Sequence, residues 1–237
     1  MANIKQIVAV LAGSALLMAG LLYITNQKAG APQLLLSEEG TPLELDAPLA
    51  PEVLEEVEQL AITNVMNPIA VFNTSKGVVE MELFEDQMPV TTGNFIKLAE
   101  EGYYDGTKFH RIIDGFMIQG GDSNSKGADT SIYGQGGPGY TIQDEFVEGE
   151  ALTNLRGTIS MANTGQPNSG GSQFFINTVD NTNLDFDKPP FTSKHPVFGR
   201  VSEGMDIVDV ISTVQTGPGD LPVEPVVIES LTIRREG

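Results

Sequence analysis

One arginine within an apolar run is the residue of this sequence best suited to chemistry. Residues 109–122 read FHRIIDGFMIQGGD, so that Arg111 stands among large apolar side chains and Gln119 follows in the next apolar stretch. Placing a cation in such surroundings is costly unless the charge is used, and guanidinium offers a fork of N–H donors that stays charged. We interpret the run as an apolar concavity with an arginine at its rim, which suits an uncharged, partly polar ligand. The alternative is a surface arginine whose stem covers apolar area while its head stays in water.

Two short strands are expected to position these side chains. Residues 109–113 and 116–119 are too short for helices, and the Asp-Gly dipeptide between them is favoured in tight hairpin turns. Arg111 and Gln119 should therefore project from neighbouring strands onto one surface. Strand alternation predicts two faces for the first strand: Phe109 and Ile113 with Arg111, and His110 with Ile112.

A second run downstream has the same character. Residues 157–178 read GTISMANTGQPNSGGSQFFINT, which predicts two strands joined by a loop rich in Gly, Asn, Pro and Ser. Together with FHRIIDGFMIQGGD and with HPVFGRV at residues 195–201, this run resembles the cyclophilin family of peptidyl-prolyl cis-trans isomerases. The resemblance extends from about Ile69 to the C-terminus and rests on long motifs.

The resemblance implies a role for each matching residue. Arg111 matches the catalytic arginine of the family, and Gln119 matches the glutamine that orients this arginine and the substrate. The other matches line the groove that binds the substrate: Phe116, Met117, Phe175 and Leu184 form the proline pocket, Ala162 and Asn163 belong to the stretch whose backbone pairs with the residues before the proline, and His195 forms the far wall.

Two departures from the family pattern bear on binding. Many cyclophilins carry a tryptophan just before the pocket leucine, and its indole N–H donates a hydrogen bond to the inhibitor cyclosporin, whereas this sequence has Asn183 there and no tryptophan at all. We therefore expect weak cyclosporin binding with isomerase activity retained. The second departure is the insertion-like stretch FDKPPFTSK, which immediately precedes His195.

The implied function is catalysed rotation about X-Pro peptide bonds, assisting the folding of exported proteins. In that mechanism Arg111 donates a hydrogen bond to the prolyl nitrogen in the twisted transition state, and no cofactor is needed. A second class of function uses the same groove, namely a non-catalytic module or holdase chaperone that binds proline-containing peptides. With two histidines and no cysteine, the sequence offers little for a zinc site or a thiol nucleophile.

Composition and pattern indicate the fold class. The 26 glycines fit a β-rich chain with many turns, and the net charge of −19 would repel nucleic acid. Alternation predicts strands within residues 70–84 and 225–235, and helical spacing predicts helices after Pro89 and over residues 205–211. The resemblance implies a mainly β fold, a closed eight-stranded antiparallel barrel capped by two α-helices.

The N-terminal part is predicted to be separate from residues 69–237, the isomerase domain. Residues 7–24 are uncharged and apolar, which predicts an apolar helix within residues 1–31 that acts as an export signal and membrane anchor, with the domain outside the cytoplasm. Cleavage near Ala31, giving a secreted or periplasmic protein, is the alternative. Residues 32–68 form an acidic, proline-containing linker. We expect a monomer.

Overall fold

The computed structural model describes residues 67–148, 152–190 and 194–235, together with the backbone of three short strands nearer the N-terminus. The chain divides into two compact units, Met1–Val65 and Met66–Gly237. In the first unit, β1 (Ile7–Val10), β2 (Leu21–Thr25) and β3 (Pro32–Leu34) pair antiparallel in that order.

The predicted apolar helix over residues 7–24 is wrong for the described stretches, because β1 and β2 are strands. An unbroken apolar run has no periodicity that separates a strand from a helix, and Ile, Val, Tyr and Thr favour strands. Residues 11–20 and most of the predicted linker, residues 35–66, lie outside the described residues. Within the described part of the chain, no helix combines the length and apolarity needed to cross a membrane.

The described residues of the second unit form eight strands and two α-helices. The strands are β4 (Ile69–Thr74), β5 (Gly77–Leu83), β6 (Arg111–Ile113), β7 (Met117–Gly120), β8 (Thr158–Met161), β9 (Phe174–Asn177), β10 (Val197–Glu203) and β11 (Ile228–Arg234). The helices are α1 (Pro89–Glu100) and α2 (Met205–Ser212). The mainly β fold with two helices is confirmed.

All neighbouring strands of this sheet pair antiparallel, in the order β11-β4-β5-β10-β8-β9-β7-β6. The predicted closure into a complete barrel is wrong, because β6 and β11 form the two edges of an open, curled sheet. Between them runs a seam, crossed by one isolated bridge from Lys108 to Val227. β6 is only three residues long, so the chain before it makes irregular hydrogen bonds instead of a ladder: Phe109 N donates to Val226 O at 3.0 Å and Ile228 N to Thr107 O at 2.8 Å.

An aromatic core holds α1 against the sheet. Helix α1 begins with Pro89 at its first turn, where a missing N–H costs nothing. The buried ring of Phe95 lies in the middle of this core, 5.0 Å from the ring centre of Tyr104 and 5.2 Å from that of Phe198. Phe174 of β9 packs edge-on against Phe95 at 5.7 Å. This core fixes the strands whose opposite side carries the predicted site.

Candidate active site

The hairpin predicted around Arg111 is present, and its register brings three predicted residues onto adjacent strands. Arg111 of β6 pairs with Gln119 of β7, and Gln119 pairs in turn with Phe175 of β9. Gly115 in the turn has a φ of +68°, the conformation for which glycine is favoured in hairpin turns. Arg111, Gln119 and Phe175 therefore lie side by side across the edge of the sheet.

Phe109 does not share the face of Arg111, contrary to the alternation expected for residues 109–113. Its side chain is 2% exposed and belongs to the main core, where its ring packs edge-on against Phe174 at 6.3 Å. The strand begins only at Arg111, so alternation does not extend back to residue 109. Ile113, within the strand, is on the predicted face.

A small apolar cluster, separate from the main core, lies on the arginine's side of the sheet. Most of the predicted pocket residues meet in it: Met117, Phe175 and Leu184 are buried, and Ile113, Phe116 and Ala162 pack partly buried against them. The neighbours Phe174 and Phe175 on β9 thus pack in different clusters, because successive side chains of a strand point to opposite faces. The result is an apolar patch beside a partly exposed guanidinium.

His195 lies against one wall of this small apolar cluster. Its ring meets the ring of Phe175 edge-on, with the centres 5.3 Å apart, and its backbone N–H donates to Leu184 O at 3.0 Å. The Nδ1 atom lies 3.0 Å from Met161 O. Since a carbonyl only accepts, Nδ1 carries the proton. The insertion-like stretch before His195 does not displace it from the predicted position beside the pocket.

A groove of about 450 Å³ continues from the cluster along Gln119, Ala162 and Asn163, and its other side is formed by the glycine-rich loop at residues 134–137. Ala162 N donates to Gln173 O at 3.0 Å. The side chain of Asn163 joins its loop to the segment that precedes β10, since its Nδ2 donates to Lys194 O at 2.7 Å. All nine predicted site residues therefore lie in the small apolar cluster, in the groove or on the rim between them.

A family comparison agrees with this geometry. The family model described as "Cyclophilin type peptidyl-prolyl cis-trans isomerase/CLD" matches residues 69–233. The chain belongs to the cyclophilin family. Within the described residues of this cyclophilin, no group of three or more His, Cys, Asp or Glu side chains is placed to hold a metal ion.

Individual relatives match over most of the cyclophilin domain. Peptidyl-prolyl cis-trans isomerase B of Escherichia coli is 41% identical over 170 residues, which cover 68% of this chain and 97% of that protein. A longer Streptococcus pyogenes protein is 39% identical over 200 residues, covering 74% of this chain but only 40% of its own length. The crystal structure of a Cryptosporidium parvum cyclophilin type isomerase, solved in the presence of the dipeptide Ala-Pro, matches with a TM-score of 0.60 and 29% identity, covering 71% of this chain and 99% of that one.

Two polar residues at the site were not predicted. Gln173 accepts a hydrogen bond from Gln119 Nε2 at 3.0 Å and donates from its own Nε2 to the carbonyl oxygens of Gly134 and Gly136, both at 2.9 Å. Gln173 therefore connects Gln119 to the glycine-rich loop. The sequence signal for it is a polar amide directly before the apolar run of β9. The second residue is Asp220, whose carboxylate lies 3.3 Å from Arg111 Nε.

Burial favours the neutral form of both histidines of this cyclophilin. It lowers the pKa of His195, and the contact with Met161 opposes this effect only in part. Burial also lowers the pKa of His110, with Asp122 acting in the opposite direction and Arg111 in the same direction. Protonating either ring would therefore work against the folded state.

We expect the free energy of unfolding to decrease as the pH is lowered from about 7.5 to about 5.5. A histidine whose pKa is lowered in the folded state binds fewer protons there than in the unfolded chain, where its pKa is about 6.5. The stability that the neutral, buried ring contributes is therefore complete above that pH and is lost as the pH falls below it. Urea denaturation at the two pH values measures the decrease. In His110→Gln the decrease should be smaller than in the wild type, and an equal decrease would contradict the assignment.

Proposed function

We propose that Arg111 is the group through which this cyclophilin isomerises X-Pro peptide bonds, the activity of its family. The observation that carries the proposal is the pairing of Arg111 with Gln119 beside the small apolar cluster. The Ala-Pro dipeptide present with the Cryptosporidium relative supports the same ligand class here. The cluster would hold the proline ring, and Arg111 would lie at its rim.

The chemistry follows from the bond itself. An X-Pro amide rotates slowly because its C–N bond has partial double-bond character, with a barrier of ~18–20 kcal/mol for peptide bonds in general. At the twisted state the conjugation is lost and the prolyl nitrogen carries a lone pair. A guanidinium N–H that donates to this lone pair stabilises the twisted state more than either planar isomer, which raises the rate in both directions.

The remaining residues would fix the substrate around the rotating bond. Met117, Phe175 and Leu184 offer a desolvated wall for the ring, and the groove along Ala162 and Asn163 would take the residues before the proline. Gln119 would orient both Arg111 and the substrate. A protease-coupled assay on a proline peptide tests the activity, and the substitution of Arg111 tests the mechanism; absence of turnover by the wild type would favour a peptide-binding module instead.

Cyclosporin should inhibit this protein weakly, because Asn183 replaces the tryptophan of many cyclophilins. Asn183 is an exposed residue of the turn Thr182–Leu184, next to the pocket leucine. An aromatic residue at a binding hot spot contributes about 2 kcal/mol or more, so Asn183→Trp should lower the Kd by about 10-fold to 100-fold. Titration of the inhibitor in the isomerase assay measures this change.

The matched control for cyclosporin is Thr182→Trp, which adds the same ring at the adjacent exposed position. We expect it to leave the Kd unchanged. Inhibition of the wild type at nanomolar concentrations, or equal improvement by both tryptophan variants, would show that residue 183 does not determine the affinity for this inhibitor.

We propose further that the domain acts outside the cytoplasm on exported proteins and is attached to the membrane through residues 7–24. The support is the apolar, uncharged composition of this run and the acidic, proline-containing stretch that follows it. N-terminal sequencing of the protein from membrane and soluble fractions tests this placement. A mature N-terminus close to Ala31 in the soluble fraction would replace the anchor with a cleaved signal.

A further inference from the structure

A loop between α2 and β11 brings a carboxylate to the arginine of the site. This loop contains one short helical turn, Pro218–Asp220. The residues on either side of the turn are hydrogen-bonded to each other: Gly217 N donates to Leu221 O at 2.8 Å, and Val223 N donates to Gln215 O at 2.9 Å. The carboxylate of Asp220 accepts a hydrogen bond from Arg111 Nε at 3.3 Å. The loop is therefore stabilised by its own hydrogen bonds, and it places Asp220 at the rim of the small apolar cluster.

The backbone of Asp220 has a φ of +60°, in the left-handed region that most side chains avoid. Asp and Asn are the residues other than glycine that tolerate this conformation best. The carboxylate is thus held in place by a backbone conformation for which few residue types are suited. This backbone conformation therefore favours Asp at position 220 over residues with longer side chains.

The part of Arg111 that Asp220 contacts distinguishes this ion pair from that of Arg156 and Asp209. Arg156 binds Asp209 through both terminal nitrogens, at 2.8 Å each. Arg111 instead uses Nε, and its terminal nitrogens make no hydrogen bond within the described residues. A carboxylate at Nε restrains the plane of the guanidinium while leaving the outer fork available to a ligand.

The pair contributes little to stability. The side chains of Arg111 and Asp220 are 42% and 46% exposed, and ion pairs at such exposure have small effects on folding. Removing a contact of this kind should change the reaction rate but not the unfolding temperature. This separates a positioning role from a purely structural one.

We propose that Asp220 is a positioning residue for the isomerase reaction, which holds Arg111 at Nε so that its terminal nitrogens are oriented for the prolyl nitrogen. The proposal rests on the catalytic role proposed for Arg111. Asp220 itself does not touch the substrate. It restricts the rotation of the guanidinium before the substrate binds, so that less orientational freedom is lost at the transition state.

The test is Asp220→Gly, which removes the carboxylate while glycine accepts the positive φ without strain. We expect kcat/KM for a proline peptide to decrease by about 10-fold, mainly through kcat, with an unchanged unfolding temperature. Asp220→Asn keeps an acceptor and the backbone conformation and should recover part of the loss. Asp209→Ala, which removes the carboxylate of the similarly exposed pair with Arg156, is the control and should leave kcat/KM unchanged.

A double-mutant cycle separates this proposal from the one on which it rests. In an Arg111→Ala background, Asp220→Gly should cause no further loss. If Arg111→Ala itself has no effect, the mechanism through Arg111 fails. Suppose instead that Arg111→Ala is strongly impaired. The positioning role of Asp220 is then wrong if Asp220→Gly is as active as the wild type or faster, or if Asp220→Gly causes a further loss of activity in the Arg111→Ala background. The Nε–H resonance of Arg111 gives an independent readout, since its exchange with water should be faster in Asp220→Gly.

Discussion

Replacing Arg111 with alanine should decrease kcat/KM for a proline peptide by about 100-fold or more. The loss is large because a donor aimed at the prolyl nitrogen acts only when the amide is twisted, so removing it raises the barrier without changing the planar states. Folding should be unaffected, since the Arg111 side chain is 42% exposed and its one described ion pair is a surface contact. A protease-coupled assay gives the rate, and thermal denaturation gives the stability.

Arg235→Ala is the matched control for the arginine. Arg235 is also ion-paired, with Glu85, and its side chain is 48% exposed, but it lies outside the small apolar cluster and the groove. This variant should keep full activity. Arg111→Lys should retain only part of the wild-type rate, because lysine preserves the charge but not the planar fork of donors. Wild-type activity in Arg111→Ala would rule out the proposed donor.

The second large effect concerns two adjacent phenylalanines with different roles. Phe174→Ala should decrease the free energy of unfolding by about 3–5 kcal/mol, because this fully buried ring packs against four others in the core: Phe72, Phe95, Tyr104 and Phe109. Phe175→Ala should destabilise the protein less, because its ring belongs to a small cluster in which only Met117 and Leu184 are also buried and the other members are partly exposed. Urea denaturation of both variants measures the difference.

Activity should rank the two variants in the opposite order. Phe175→Ala opens the wall of the small apolar cluster and should reduce kcat/KM strongly at temperatures where the variant is folded. Phe174→Ala should retain most of its activity per folded molecule. Equal destabilisation by the two substitutions would contradict the division into two clusters, and normal activity of Phe175→Ala would exclude the small apolar cluster as the proline pocket.

The hairpin that carries Arg111 could be predicted because its determinants are local. An Asp-Gly turn and the alternation of the flanking residues are sufficient to bring Arg111 opposite Gln119. The same reasoning failed for Phe109, because alternation applies only within a strand and β6 begins two residues later. The residue at which β6 begins therefore determines which apolar side chains lie in the core and which lie in the pocket.

Features that join distant parts of the chain could not be predicted in this way. Asp220 reaches Arg111 from a loop more than a hundred residues away in sequence, and nothing in the local pattern around residue 220 indicates its partner. The open seam likewise depends on the shortness of β6 and on irregular hydrogen bonds between two loops. For the N-terminal apolar run, the composition shows that the segment is apolar but does not distinguish a strand from a helix.

The open seam also bears on how the domain is made during translation. Strand β4, the first of the large sheet to be synthesised, pairs on one side with β11, the last, and Asp220 precedes β11 by only a few residues. Until this stretch has emerged from the ribosome, the nascent domain lacks an edge strand, the bridge across the seam and the carboxylate beside Arg111. Contacts so distant in sequence form late, so a chain stalled before residue 220 would lack both β11 and the carboxylate that we propose positions Arg111.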